Sequence, residues 1–270
     1  MRSIESGGQP IRRLRFGILL LASMLMLGCA HSPVYDPHDP FEEINRDIYA
    51  FNVTLDHYVL RPTARTYVRY TPELVRTGVD NFLTNFFYPR TMINSLLQGK
   101  IIAGGQDLGR FLVNSTIGLL GIFDVATPLG IPKHNEDFGQ TLGHWGLGHG
   151  AYLMLPVLGP STGRDFSGRI VDIAFTSTTY INSEPAFVIT VADIINLRAK
   201  LLRLDRAIEE AFDPYSFVRG SYLQNRRTLL YDGNPPSQEA QYTLDEGDAT
   251  SSDEDAYDEA FDDVYDEASE

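Results

Sequence analysis

An all-α fold is predicted by three features of the sequence: a recurring Asp-Pro or Thr-Pro helix start, apolar residues at spacings of 3 and 4, and scarce strict apolar/polar alternation. The first start opens "DPFEEINRDIYAFNVTLDHYVLRP", where Asp39 can cap. Pro40 fits the first helical position and Glu42 sits where a capping box would close. Phe41, Ile44, Ile48, Phe51 and Leu55 then form one face, opposite Glu42, Glu43, Arg46 and Asp47, and the helix is expected to end before Pro62. Thr71-Pro72 opens a second helix with Val75, Val79, Phe82 and Phe86 in register. In "NLRAKLLRLDRAIEEAF", Leu197, Leu201, Leu204, Ile208 and Phe212 share a face and charges fill the other. Asp213-Pro214 starts the last helix, carrying Tyr215, Val218 and Tyr222.

The middle of the chain is poor in charge. Ten charged residues occur in the 85 from Phe111 to Ile195, and Phe138 to Gly163 has none. That 26-residue run is long enough to cross a bilayer, but seven glycines and two prolines make it a poor continuous helix. It reads either as a buried, glycine-punctuated loop or as a broken segment dipping into lipid. In the second case its irregular backbone must be covered by protein or line a water-filled passage.

The N-terminus carries Arg12, Arg13 and Arg15, then an uncharged run from Phe16 to Gly28, then Cys29, the one cysteine of 270 residues. A positive region followed by an apolar run too short to span a membrane reads as an export signal. Gly28 and the aliphatics before it suit lipoprotein processing, in which the Cys29 thiol takes a diacylglyceryl group. The usual Leu and small residue at three and two before the cysteine are Met26 and Leu27 here. The alternatives are an ordinary cleaved signal with an incidental cysteine and a buried free thiol. Without residues 1–28 the chain carries 18 basic and 35 acidic residues, a net of −17. Thirteen of those acids lie between Asp245 and Glu270, where no Lys or Arg occurs. Nucleic acid is therefore not an expected partner, because phosphate binding needs clustered cations. One cysteine excludes a disulfide framework, and a body of about 200 residues can bury a core without one. The expected organisation is a lipoprotein signal peptide (1–28), a lipidated linker (29–38), a helical domain (39–232) and an acidic tail (233–270).

"DPFEEINRDIYAFN", "RFLVNSTIGLLGIFDVAT", "EDFGQTLGHWGLGHGAYLMLPVLGPSTGRD" and "DPYSFVRGSYLQNRR" resemble, in order, the signature segments of the MlaA (VacJ) lipoproteins of Gram-negative outer membranes. The likeness runs from Asp39 to Arg227. It implies a ring-like arrangement of amphipathic helices in the inner leaflet of the outer membrane, anchored at Cys29, around a central amphipathic channel. It also implies a function: removing mislocalised phospholipid from the outer leaflet and passing it to a periplasmic carrier protein, in association with a porin trimer. No cofactor is implied. A headgroup cannot cross the apolar interior of a bilayer unaided, so such a protein needs a polar groove with apolar cover for the tails. By the same resemblance, control of the channel falls to the first helix and the glycine-rich loop, here Asn45, Tyr49, Phe51, Asn52, Gly143, Gly146, Gly148 and Gly150. Helix packing and a tight turn are the ordinary readings of those residues. Ala30 is consistent with outer-membrane sorting. The alternative function is a structural accessory that braces a porin and affects lipid asymmetry indirectly.

Two chemical readings compete. Gly159-Pro160-Ser161-Thr162-Gly163 matches G-x-S-x-G, and "YLMLPVL" before it could be the strand a nucleophile elbow requires. Hydrolases of that class place the histidine after the serine, however, and all six histidines precede Ser161, so no enzyme is expected. His144 and His149 lie five apart, flanked by glycines with no nearby acid cluster, which is not a zinc-ligand pattern. The tail lacks EF-hand spacing and its like charges favour disorder. Alternatively, Tyr257, Phe261, Val264, Tyr265 and Ala268 could share a helical face and dock on a basic partner.

Overall fold

The computed structural model describes residues 39–236, so Cys29, the expected signal peptide and linker, and the expected acidic tail from residue 237 on lie outside the described residues. The described chain is mostly helical with one small hairpin, as expected. Helix α1 (Glu42–Leu55) runs through a π-helical turn (Asp56–Leu60) into α2 (Arg61–Tyr70). The helical path therefore does not stop before Pro62 as expected. The wider turn reorganises the hydrogen bonding where Pro62 lacks its N–H, and Pro62 becomes an early residue of α2. Helices α3 (Glu73–Leu97) and α4 (Ile101–Thr116) form a hairpin. Gly99 closes its turn at φ +76°, a left-handed conformation suited to glycine at a helix end.

After an irregular stretch come α5 (Phe138–His144), the strands β1 (Tyr152–Leu155) and β2 (Gly159–Thr162), and α6 (Gly163–Phe175). The strands pair antiparallel, Tyr152 opposite Thr162 and Leu155 opposite Gly159. The uncharged segment is thus a short helix and a hairpin, with Tyr152, Met154, Ser161 and Thr162 buried and Val157 and Leu158 exposed at the hairpin tip. Helix α5 crosses α6 at glycines: a Cβ on Gly168 would stand 2.3 Å from the Gly139 nitrogen.

A turn of 3₁₀ helix leads to α7 (Ser183–Leu201), followed by α8 (Asp205–Glu209) and α9 (Pro214–Leu230). The single helix expected over 196–212 is instead broken at Leu202–Leu204, and much of its apolar stripe is exposed, at Leu197, Leu201, Leu204 and Phe212. An ion cluster spans the break. Arg198 donates to Asp56 at 2.5 and 2.8 Å and to Asp205 at 2.8 Å, while Arg61 binds Asp56 and Glu209, tying the π-helical turn to α7 and α8.

The two Asp-Pro segments fold against each other by exchange. Arg46 of the first donates to Asp213 of the second at 2.6 and 3.2 Å. Arg219 of the second donates to Asp39 of the first at 2.9 Å, and the Tyr215 hydroxyl donates to the same carboxylate. Asp213 caps α9 through the Tyr215 N–H at 3.1 Å, as expected. Asp39, however, does not cap α1 with its side chain, because that carboxylate is consumed by Tyr215, Arg219 and Asn45. Around this joint sits a small apolar core of Tyr152, Met154 and Tyr215, flanked by Ile48, Tyr49, Val218, Tyr222 and Leu223.

Elsewhere the usual distribution is reversed. Among the described residues, seven buried side chains are apolar or aromatic and twenty are polar or charged, while long rows of Ile, Leu, Val and Phe are exposed. Folding in water drives the opposite arrangement. Among the described residues, no helix is long and apolar enough to cross a membrane.

Candidate functional site

Helices α3 and α7 set their polar stripes face to face. Asp80, Thr84, Tyr88 and Thr91 recur at helical spacing on α3, and Asp193, Asn196 and Lys200 do so on α7. With Arg90, Thr176 and the segment Lys133–Asn135 they enclose a cavity of ≈ 390 Å³, to which Leu83, Phe87 and Leu197 add apolar wall. Thr84, Tyr88 and Lys133 also line an adjoining polar recess with Asn81, Asn85, Arg110, Asn114 and Asp124.

The wall is rigidly built behind this face. Asp107, fully buried on α4, accepts from the Tyr88 hydroxyl at 2.8 Å and the Ser95 hydroxyl at 2.7 Å, and contacts His134 Nδ1 at 2.8 Å. Burial, reinforced by that carboxylate, holds the Tyr88 hydroxyl well above its ordinary pKa, so it remains a donor. Arg110 anchors the irregular stretch by donating to the Ile131 carbonyl at 2.9 Å, Asp124 at 2.5 Å and Thr127 at 2.8 Å. Asn114 accepts from the Val125 and Ala126 N–H groups, both at 2.9 Å. These are the polar residues of "RFLVNSTIGLLGIFDVAT", and they order the loop that closes the recess.

Within the cavity, Lys200 pairs with Asp80, which also accepts from Asn196 at 3.0 Å. Burial pushes the Asp193 carboxyl up and pulls the Lys133 ammonium down from their ordinary values. Both line the open space, Asp193 half-buried and Lys133 exposed toward solvent.

The residues singled out from the first helix and the glycine loop lie at a different place, the hairpin edge. Asn45 donates to the Tyr152 carbonyl at 3.1 Å and accepts the Met154 N–H at 2.8 Å. One face of helix later, Asn52 donates to the Leu155 carbonyl at 2.9 Å and accepts the Val157 N–H at 2.8 Å. Each carboxamide thus pairs with β1 as a neighbouring strand would, and satisfies an edge that is otherwise open. Tyr49 packs edge-on against Tyr215 at 5.8 Å, and Phe51 is exposed. Gly143 sits where a Cβ would meet Arg164 and Leu230. Gly146 and Gly150 hold φ of +92° and +66°, and Gly148 has open space around it. None of these eight residues lines the cavity.

Ser161 is fully buried on β2, opposite Leu153, with its hydroxyl donating to the Thr162 carbonyl at 3.4 Å. A nucleophile elbow needs the serine exposed on a strand-to-helix turn. Here Thr162 fills the turn and caps α6 through the Asp165 N–H at 3.1 Å. Among the described residues no cluster of His, Cys, Asp and Glu could hold a metal, and His149 contacts the Gly150 carbonyl.

The cavity residues Asp80, Lys133, Asp193 and Lys200 escaped the sequence reading, which followed apolar stripes. For Asp80, Asp193 and Lys200 the signal is the complementary polar stripe on the same helices; Lys133, in the irregular stretch, carries none.

Comparison with known proteins bears on all of this geometry. Residues 37–229 match the family model described as MlaA lipoprotein. The chain belongs to the MlaA lipoprotein family. It is 35% identical over 234 residues to the Escherichia coli (strain K12) protein named "Intermembrane phospholipid transport system lipoprotein MlaA", covering 84% of this chain and 93% of that one. The Shigella flexneri protein of the same name matches to the same extent. The Haemophilus influenzae one is 31% identical over 223 residues, 79% of this chain and 89% of that one. A solved structure described as "Structural basis for maintenance of bacterial outer membrane lipid asymmetry" superposes with a TM-score of 0.65 at 35% identity, covering 71% of this chain and 98% of that chain.

Proposed function

We propose that this chain is an outer-membrane lipoprotein that takes mislocalised phospholipid out of the outer leaflet and releases it toward the periplasm through the cavity between α3 and α7. The observation that carries the reading is the inverted distribution of side chains. Asp80, Thr84, Tyr88, Asp193 and Lys200 face a shared interior, while Ile101, Ile102, Leu108, Leu112, Phe187, Val188 and Val191 face out. A surface of that kind suits lipid, and helices too short or too polar to span suit an element seated in one leaflet. The relatives' role in intermembrane phospholipid transport supports the same assignment. Acylation at Cys29 would hold the chain on that leaflet, and about 0.8 kcal/mol per buried CH₂ makes two or three acyl chains a firm anchor. The passage needs no catalytic residue: a headgroup moves along polar side chains while its tails stay against apolar wall.

Transfer to a soluble periplasmic carrier and seating beside a porin trimer complete the proposed route. The hairpin is its proposed control element. Asn45 and Asn52 fix α1 to β1, and α5 continues to α3 through Thr141, whose hydroxyl donates to Asn94 at 2.8 Å, and through Trp145, which donates to the Leu97 carbonyl at 3.2 Å. Movement of α1 would therefore reach the helix that lines the cavity.

The test is surface-exposed phospholipid in a strain lacking the protein, complemented with wild type or Ser161→Ala. The expected result is a rise on deletion, reversed by both versions. No change on deletion would remove the asymmetry role and leave porin bracing as the function; rescue by wild type alone would instead point to a hydrolase.

A further inference from the structure

Five charged side chains line the α3–α7 cavity: Asp80, Arg90, Lys133, Asp193 and Lys200. Lys200 and Asp80 neutralise each other. Among the described residues, half-buried Arg90 and Asp193 and exposed Lys133 make no side-chain hydrogen bond or close ion pair, although Arg90 and Lys200 act on Asp193 electrostatically, and the Arg90 Nε is buried without an acceptor. Charged groups that line an open space without a hydrogen-bonded partner of their own can make charge-assisted hydrogen bonds to a ligand.

We propose that this cavity is a headgroup-reading site for a zwitterionic phosphoethanolamine, with the phosphate toward Arg90 and Lys133 and the primary ammonium toward Asp193. The proposal rests on the lipid-passage reading above and adds its selectivity. Two cations match the oxygens of a phosphodiester through charge-assisted hydrogen bonds. A carboxylate accepts the N–H groups of a primary ammonium, which a glycerol headgroup does not offer. The space, ≈ 390 Å³, is at the small end of ligand sites and suits a headgroup rather than two acyl chains. Leu83, Phe87 and Leu197 provide the apolar side along which the first carbons of the tails would leave. Asp80 stays committed to Lys200 and Asn196, so Asp193 is the carboxylate open to the ligand.

The experiment measures binding of dihexanoyl phosphatidylethanolamine, dihexanoyl phosphatidylglycerol and free glycerophosphoethanolamine to the full chain in detergent. Wild type should prefer the ethanolamine lipid by about tenfold, the scale of one charged hydrogen bond. Asp193→Asn should abolish the preference by weakening the ethanolamine lipid alone, and Lys133→Gln should weaken both lipids. Asp193 makes no hydrogen bond or close ion pair to lose, so the melting temperature should hold. Equal binding of both lipids by wild type, or an equal loss of both in Asp193→Asn, overturns the headgroup assignment while leaving the passage intact. Absence of binding by either lipid overturns the passage itself and the assignment with it. Glycerophosphoethanolamine binding as tightly as the lipid would make the ligand a soluble metabolite, which also overturns the proposal.

Discussion

The joint between α1, α9 and the hairpin is built like an ordinary protein, whereas the α3–α4 and α7 helices are built inside out. At the joint, Tyr152, Met154 and Tyr215 are buried together and charges close over them from the rim. Across the molecule, Asn85, Asn94, Ser95, Asp107 and Asn114 occupy the interior and Ile102, Leu112 and Phe187 the outside. The same amphipathic pattern has been turned over. An apolar stripe at a spacing of 3 and 4 does not say which way the helix faces; only its surroundings do.

The first way to break the contrast is at the ionic centre near the joint. Arg226 donates to Asp137 at 2.5 and 2.9 Å and to Asp165 at 3.0 Å, linking α9 to α5 and α6. Arg226→Met removes the ion-pair partner of Asp137 and leaves Asp165 with Arg164 and Tyr222 alone, and should destabilise the protein by about 3–5 kcal/mol, measured by denaturant unfolding in detergent. Its counterpart in the inverted half is Asp107→Leu, which strips the acceptor from Tyr88 and Ser95. A loss of about 1–3 kcal/mol for each orphaned donor is expected. If Asp107→Leu were neutral, the polar interior would be incidental rather than structural.

Acid sharpens the comparison next. Burial pushes the Asp137 carboxyl upward, but the two Arg226 bonds and the Gln140 N–H outweigh it and hold the group down at about 2, below its ordinary 3.8. The unfolded chain therefore binds this proton more readily. The stabilisation, about 2 kcal/mol, is fully present above pH ~4 and is lost as pH falls toward ~2. Unfolding at pH 5 and pH 3 should show that decline, and Asp137→Asn should flatten it. A smaller effect of about 1 kcal/mol is expected for Tyr215→Phe, which removes a donor to Asp39 while Asn45 and Arg219 remain. Smallest on stability is Ile102→Ser, a change on the outer face that should stay within about 0.5 kcal/mol in detergent. Its effect should appear in vesicle partitioning, weakened by about 1.5–3 kcal/mol if that side chain is buried in lipid.

Legibility followed the same divide. The α1 and α9 starts were readable because Asp-Pro has a local meaning, and Asp213 caps as its position suggests. Asp39 defeated the local reading because its partners, Tyr215 and Arg219, lie 176 and 180 residues away. The passage through Pro62 was missed because a π-helical turn has no sequence mark of its own. The break at Leu202–Leu204 is bridged by Arg198, which reaches both Asp56 and Asp205, a tertiary arrangement with no local sequence mark. Asn45 and Asn52 were noticed through resemblance, yet their geometry as surrogate strand partners emerges only once β1 lies beside α1. The cavity was least legible, because polar residues on a helix are ordinarily the solvent face.

The most direct test of that inversion is water access from inside a bilayer. In the full chain carrying Cys29→Ser, single cysteines at Thr84 and Ile102 would be probed in proteoliposomes with a membrane-impermeant maleimide. Labelling at position 84 with protection at position 102 is the predicted result. Protection at 84 with labelling at 102 would contradict it and return these helices to an ordinary water-facing protein.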